Sequence, residues 1–209
     1  MSIVRLYKRI ALLIRQGDYG TAEKLLLQEY CLATQKNRTE ALEDILLLLA
    51  QLYVVTRQYK AAEERYLERE RISPASIAAK TSTATFYFWG IRRPGKALAK
   101  LNEIRIRENG RGFRSNIDSW YRALNLKGRV LLALGRKRAA CVLLEELVKL
   151  VQDHFRAIET PELELIEEMS ERKLAAPLCH KYLRLIEAKI RSRDYKRRAS
   201  ELLVQLGSG

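Results

Sequence analysis

Residues 45–66, ILLLLAQLYVVTRQYKAAEERY, decide the fold of this chain. An apolar run leads into the polar turn 56–58, and the sequence then resumes with apolar residues four positions apart, at Ala62 and Tyr66. Apolar residues spaced by three or four positions lie on one face of an α-helix. The stretch therefore predicts two helices joined by a tight turn, in which Ala62 is small enough to let the helices approach closely.

The same pattern of a turn followed by an alanine recurs along the chain. It is present at residues 17–22, 57–62, 93–97, 135–140 and 193–199. Repetition of one helical unit is the signature of a solenoid. We expect an all-α chain of about five antiparallel helix-turn-helix hairpins, with an additional helix before the last hairpin. The predicted helices are 2–15, 18–35, 38–56, 58–72, 74–90, 94–108, 115–134, 136–157, 161–173, 175–192 and 194–206, about eleven in all.

Two of these repeats resemble the tetratricopeptide repeat (TPR). The second repeat has Leu46, Leu49, Ala50 and Tyr53 before the turn, and Tyr59, Ala62 and Tyr66 after it. The fourth repeat supplies Gly128, Gly135, Ala140 and Leu144. The resemblance implies a right-handed solenoid over residues 1–206. The sequence Gly207-Ser208-Gly209 is of the type left by a tag or linker, so we expect it to lie outside the repeat domain. The resemblance also implies protein binding without catalysis, in a concave groove lined by the first helix of each hairpin.

The resemblance assigns groove positions in three repeats. They are Leu47, Gln51, Val54, Phe86, Trp89, Arg122, Asn125 and Arg129. The two arginines lie seven residues apart with Asn125 between them, and a guanidinium can bind a carboxylate or phosphate through its planar fork. Alternatively, Phe86 and Trp89 pack in the core, and the arginines form a solvated stripe that pairs with neighbouring acids. The expected partner is an acidic peptide or helix.

The net charge of +14 favours an acidic partner, which includes nucleic acid. The basic residues of this alternative site are Arg105, Arg107, Arg111, Arg114, Lys196, Arg197 and Arg198. A third hypothesis is a sensor or oligomerisation segment of a larger regulator. The acidic segment 159–171 and the basic segment 189–198 are expected to pair, within the molecule or between copies in a homo-oligomer.

Catalytic and metal-binding patterns are not found in the sequence. His154 and the adjacent Cys179 and His180 lack the spacing of zinc ligands, so we expect no enzyme activity, metal or cofactor. The apolar run 45–55 has about half the length that crosses a bilayer, so no membrane insertion is expected. Three well-separated cysteines and the lack of a signal peptide predict a soluble cytoplasmic protein.

Overall fold

The computed structural model describes residues 3–104, 113–155, 158, 162–189 and 192–207, except for the side chains of residues 113–115. This part of the chain contains eleven α-helices and no strand, so the all-α prediction is confirmed. The helices are α1 (Ile3–Arg15), α2 (Tyr19–Gln35), α3 (Thr39–Val55), α4 (Tyr59–Ile72), α5 (Ile77–Thr85), α6 (Pro94–Asn102), α7 (Phe113–Ala133), α8 (Lys137–His154), α9 (Glu164–Glu171), α10 (Ala176–Lys189) and α11 (Arg193–Gly207). A π-helical turn, Phe86–Gly90, follows α5 directly.

Most predicted boundaries agree with the structure to within about two residues, but α5 and α9 each begin three residues later than predicted, and α6 already ends at Asn102. The sequence Ser73-Pro74 predicted a helix that begins at residue 74. The helix begins instead at Ile77, because the hydroxyl of Ser76 accepts a hydrogen bond from the amide of Ala79 (3.1 Å) and caps it there. For α6, the predicted segment 105–108 lies outside the described residues.

The chain forms two compact units, Met1–Arg93 and Pro94–Gly209. In the first unit, α1 to α5 pack one after another, with the most extensive contact between α3 and α4. In the second unit, α7 packs on α6 and α8, and α10 packs on α8 and α11. The short helix α9 packs on both α7 and α10. Each unit is therefore built mainly from helices that pack on their neighbours in the chain, and α9 is the additional helix of the second unit.

Within the described ranges, five helices end in the same hydrogen-bonded turn. At the end of α3, the amide of Arg57 donates to the carbonyl of Val54 (3.1 Å), and the amide of Gln58 donates to the carbonyl of Tyr53 (2.8 Å). This pair of bonds defines a Schellman motif, whose central residue has a left-handed conformation. The left-handed residues of the five turns are Gly17, Asn37, Arg57, Gly135 and Lys173. Arg57 has a φ of 60°, a conformation that favours glycine.

The alanines that follow the predicted turns are all buried. Ala22, Ala62, Ala97, Ala140 and Ala199 each have 0% of their surface exposed. Interiors are close-packed, so any larger side chain at these positions would push against its neighbours. The sequence pattern of turn and alanine thus corresponds to a repeated packing position in both units.

Tyrosine–glutamate hydrogen bonds connect successive helices of the first unit. The hydroxyl of Tyr53 in α3 donates to the carboxylate of Glu23 in α2 (2.7 Å). The hydroxyl of Tyr87 in the π-helical turn donates to the carboxylate of Glu63 in α4 (2.9 Å). In both cases the glutamate directly follows a buried alanine of the repeat pattern. Burial and the bond to Glu23 raise the pKa of Tyr53 to about 12.

Candidate functional site

The predicted stripe on α3 lies at the surface of the first unit. Leu47, Gln51 and Val54 are separated by four and three residues, so they share one face of the helix. Gln51 is exposed, and Leu47 and Val54 are half-buried. The opposite side of α3 supplies core residues such as Leu49. The helix therefore offers a mixed apolar and polar stripe to solvent.

The two aromatic residues predicted for the groove have different environments. Trp89 is 40% exposed, and the guanidinium of Arg92 lies 5.6 Å from its ring centre. Phe86 is only 3% exposed and stacks on the ring of Tyr66 at 5.2 Å. The structure thus places Phe86 in the core, which corrects its assignment to the groove surface. The π-helical turn contributes to this difference, because Gly90 leaves the space that the Phe86 ring fills.

The predicted stripe on α7 belongs to the second unit and is partly covered. Arg122 forms an ion pair with Asp118 of the same helix (2.8 Å), and Arg129 forms one with Glu168 of α9 (2.7 Å). Asn125 is 1% exposed, and its amide nitrogen donates to the backbone oxygen of Tyr121 (3.2 Å). Burial of Asn125 corrects its assignment to an exposed groove, because the inserted helix α9 packs on α7.

A glycine of α7 creates the space that α9 occupies. A Cβ atom added to Gly128 would lie 2.5 Å from Cδ2 of Leu165, so a side chain at this position would overlap with α9. The three apolar residues of α9, Leu165, Ile166 and Met169, are completely buried. The chain's own acidic, amphipathic helix therefore packs against α7 at the positions predicted to bind an acidic helix.

A buried polar cluster anchors the segment before α9. The hydroxyl groups of Tyr121 and Tyr182 form a hydrogen bond with each other. Both approach the backbone oxygen of Glu162, at 3.2 Å and 3.0 Å, and the amide of Glu162 donates to the Tyr121 hydroxyl (2.6 Å). The cluster thus joins α7 and α10 to the chain segment that leads into α9.

Burial changes the acidity of all three members of this cluster. Desolvation raises the pKa of the Tyr121 and Tyr182 hydroxyls well above their usual range. The pKa of Glu162 is raised to about 7, mainly by burial and also by the charge of Glu164, although Arg122 and Arg129 oppose the shift. A carboxyl group with this pKa changes its charge near neutral pH. This cluster could not be predicted from the sequence, because no motif connects residues that lie 41 and 61 positions apart.

The residues of the nucleic-acid alternative are only partly described. Arg105, Arg107 and Arg111, and the side chain of Arg114, lie outside the described part of the chain. Lys196 and Arg197 are exposed on α11. Arg198 instead forms a bidentate ion pair with Glu167 of α9, with two nitrogen–oxygen distances of 2.6 Å. This pair confirms, within the molecule, the expected pairing of the acidic and basic segments.

The described residues offer no group of three or more histidine, cysteine, aspartate or glutamate side chains that could hold a metal ion. Burial raises the pKa of the Cys179 thiol to about 11, whereas an activated cysteine nucleophile requires a lowered pKa. In the same described part of the chain, we find no helix with the length and apolar character of a membrane span.

Comparison with solved structures identifies a similar fold. The chain is similar to the crystal structure of PilW, described as a widely conserved type IV pilus biogenesis factor. The superposition has a TM-score of 0.55 at 14% sequence identity and covers 99% of this chain and 90% of PilW. At this identity the likeness shows the fold, and the chain has a TPR-like helical-repeat fold. No protein-family model matches the sequence, and no curated protein matches it.

Proposed function

We propose that this chain is a non-catalytic protein-interaction module, an adaptor or scaffold that docks a helical or extended segment of an acidic partner. The docking surface is formed by the stripe of α3, Leu47, Gln51 and Val54, together with Trp89. Helical-repeat proteins commonly present extended surfaces of this kind to their partners. The similarity to PilW, described as a type IV pilus biogenesis factor, supports a role of this general kind for a helical-repeat protein.

The packing of α9 on α7 is the observation that carries this proposal. The apolar residues of α9 are buried, and Glu168 of α9 binds Arg129 of α7 at 2.7 Å. Insertion of an apolar helix face into a groove, with ion pairs at its rim, is a recurring mode of peptide recognition. The stripe on α3 has the corresponding repeat positions, and its central residue Gln51 is exposed.

The same unit also exposes positive charge and an aromatic side chain. Arg57, which follows α3, and Arg92, beside Trp89, are both exposed. Exposed aromatic and arginine side chains are the residue types that contribute most to binding energy at interfaces. The net charge of +14 additionally favours an acidic partner over a basic one.

Site-specific photocrosslinking in the native host tests this proposal. A photoreactive residue at Gln51 should capture a partner that is not captured from Lys60, an exposed position on α4. Trp89→Ala should abolish the capture, whereas Tyr59→Ala, which removes an aromatic side chain with the same 40% exposure, should leave it unchanged. Capture that is equal from both positions, or insensitive to Trp89→Ala, would contradict the proposed surface.

Salt titration separates this function from nucleic-acid binding. Affinity for a short RNA or DNA that decreases steeply with salt would favour the nucleic-acid hypothesis, because phosphate contacts release counterions. Retention of a captured protein partner after nuclease treatment supports the protein-interaction module.

A further inference from the structure

A second surface, separate from the α3 stripe, lies between α9 and α11 in the second unit. The two helices border a cleft with a volume of about 450 Å³. Leu202, which is buried, and Leu206, which is half-buried, form its apolar part. Volumes of about 300–1,000 Å³ are typical of clefts that receive ligand groups or side chains. We call this surface the α9–α11 cleft.

The rim of the α9–α11 cleft is acidic. Glu167 is neutralised by Arg198 through their bidentate ion pair. Glu171 has no ionic partner among the described residues, and Glu201 is 3.8 Å from the exposed Arg197. Ion pairs of this length between exposed side chains contribute little, so both carboxylates keep their attraction for an incoming cation. In a chain with a net charge of +14, this is a local acidic surface with an apolar floor.

The outer face of α1, defined here as Val4, Arg5, Lys8 and Leu12, has the complementary chemistry. Val4 and Leu12 are 60% and 54% exposed, although both are apolar. Arg5 and Lys8 are exposed on the same side of the helix. Four basic residues and no acidic residue occur in α1. Exposed apolar side chains rimmed by charges are characteristic of interaction surfaces.

We propose that the outer face of α1 of one molecule docks in the α9–α11 cleft of a second copy of this chain. Val4 and Leu12 contact Leu202 and Leu206 in this arrangement. Arg5 and Lys8 lie opposite Glu171 and Glu201. The two contacting surfaces are different parts of the chain, so the interface is heterologous, or head-to-tail. Such an interface leaves one free α1 face and one free cleft in a dimer, and it permits further copies to add.

Two charge-reversal variants test this assembly by sedimentation velocity. The head variant is Arg5→Glu/Lys8→Glu, and the tail variant is Glu171→Lys/Glu201→Lys. The unmodified chain should associate reversibly as its concentration rises, and the association should weaken at high salt because its rim contacts are ionic. Each variant alone should associate at least about tenfold more weakly, because like charges then face each other.

Mixing the two variants distinguishes a head-to-tail interface from a symmetric one. The head variant retains an intact cleft and the tail variant retains an intact α1, so an equimolar mixture should form heterodimers. A Lys24→Glu/Lys60→Glu variant has the same change in net charge as the head variant but at exposed positions of α2 and α4, and it should associate like the unmodified chain. Circular dichroism should show that all variants remain folded.

Three results would overturn the proposal. The first is an unmodified chain that remains monomeric at about millimolar concentration, where even an association with a dissociation constant of about 1 mM is detectable. The second is unchanged association of the head or tail variant. The third is a mixture that associates no better than its components, which would indicate that the two surfaces do not bind each other.

Discussion

Replacement of Glu162 by glutamine provides a direct test of the polar cluster before α9. The substitution keeps the size of the side chain and removes its charge. The pKa of Glu162 is about 7 in the folded protein, against an ordinary value of 4.5, because burial disfavours the carboxylate. Ionisation of this carboxyl group therefore opposes folding, and the glutamine variant should be the more stable protein at pH 8.

The sign and the size of the effect follow from proton linkage. Between about pH 4.5 and pH 7 the folded state retains a proton that the unfolded state releases. The contribution of Glu162 to the free energy of unfolding therefore decreases as the pH rises through this range and stays constant above it. The full difference corresponds to about 3 kcal/mol. Because the residue is only half-buried, water screens the charge and we expect about 1–2 kcal/mol.

Urea unfolding at pH 5 and pH 8 measures this difference. A Trp89→Phe background leaves Trp120 of α7 as the only tryptophan, so its fluorescence reports on the second unit. Glu162→Gln should raise the free energy of unfolding by about 1–2 kcal/mol at pH 8 and by a smaller amount at pH 5. Glu171→Gln, an exposed substitution at the end of α9 with the same charge change, is the control. Equal effects of Glu162→Gln at both pH values, or destabilisation at pH 8, would refute the reasoning.

Three further predictions concern the repeated features of the fold, and thermal or urea unfolding measures each of them. Arg57→Gly should stabilise the protein by about 0.5–1 kcal/mol, because glycine adopts the left-handed conformation of this residue without strain. Gly135→Ala should destabilise it by about 1 kcal/mol for the same reason. A loss of stability in Arg57→Gly would contradict this explanation of the turn. Tyr53→Phe should cost about 1 kcal/mol and should cost almost nothing once Glu23 is alanine; an unchanged cost would show that their hydrogen bond is unimportant. Ala140→Leu should cost about 1–3 kcal/mol by overpacking, and a neutral result would mean that the position tolerates a larger side chain.

The sequence was sufficient to predict the helices and the alanines at which paired helices pack closely. A tight turn followed by an alanine is a local pattern, and the alanines at 62 and 140 proved completely buried. Helix periodicity depends on spacing within one segment, so it can be read without knowledge of the tertiary structure. For the same reason, the exposed side of α3 at Gln51 was assigned correctly to the surface.

Features that depend on distant segments could not be predicted in this way. The burial of Asn125 follows from the packing of α9 on α7, and the burial of Phe86 from its stacking on Tyr66. The contact between Tyr121 and Tyr182 joins helices that are separated by two others in the chain. No local spacing indicates such contacts, because tertiary packing decides which apolar or polar positions face each other.

The tyrosine–glutamate bonds predict which end of the first unit better tolerates deletion. The bonds of Tyr53 and Tyr87 have their acceptor in an earlier helix and their donor in a later one, whereas Tyr30 of α2 donates to the carboxylate of Glu68 in α4. Deletion from the N-terminal side through α2 would remove both Glu23 and Tyr30, so that Tyr53 and Glu68 would each lose this hydrogen-bond partner. Deletion from the C-terminal side that removes Tyr87 would leave Glu63, a carboxylate that water can solvate. Shortened versions of this unit should consequently tolerate loss of their last helix better than loss of their first hairpin.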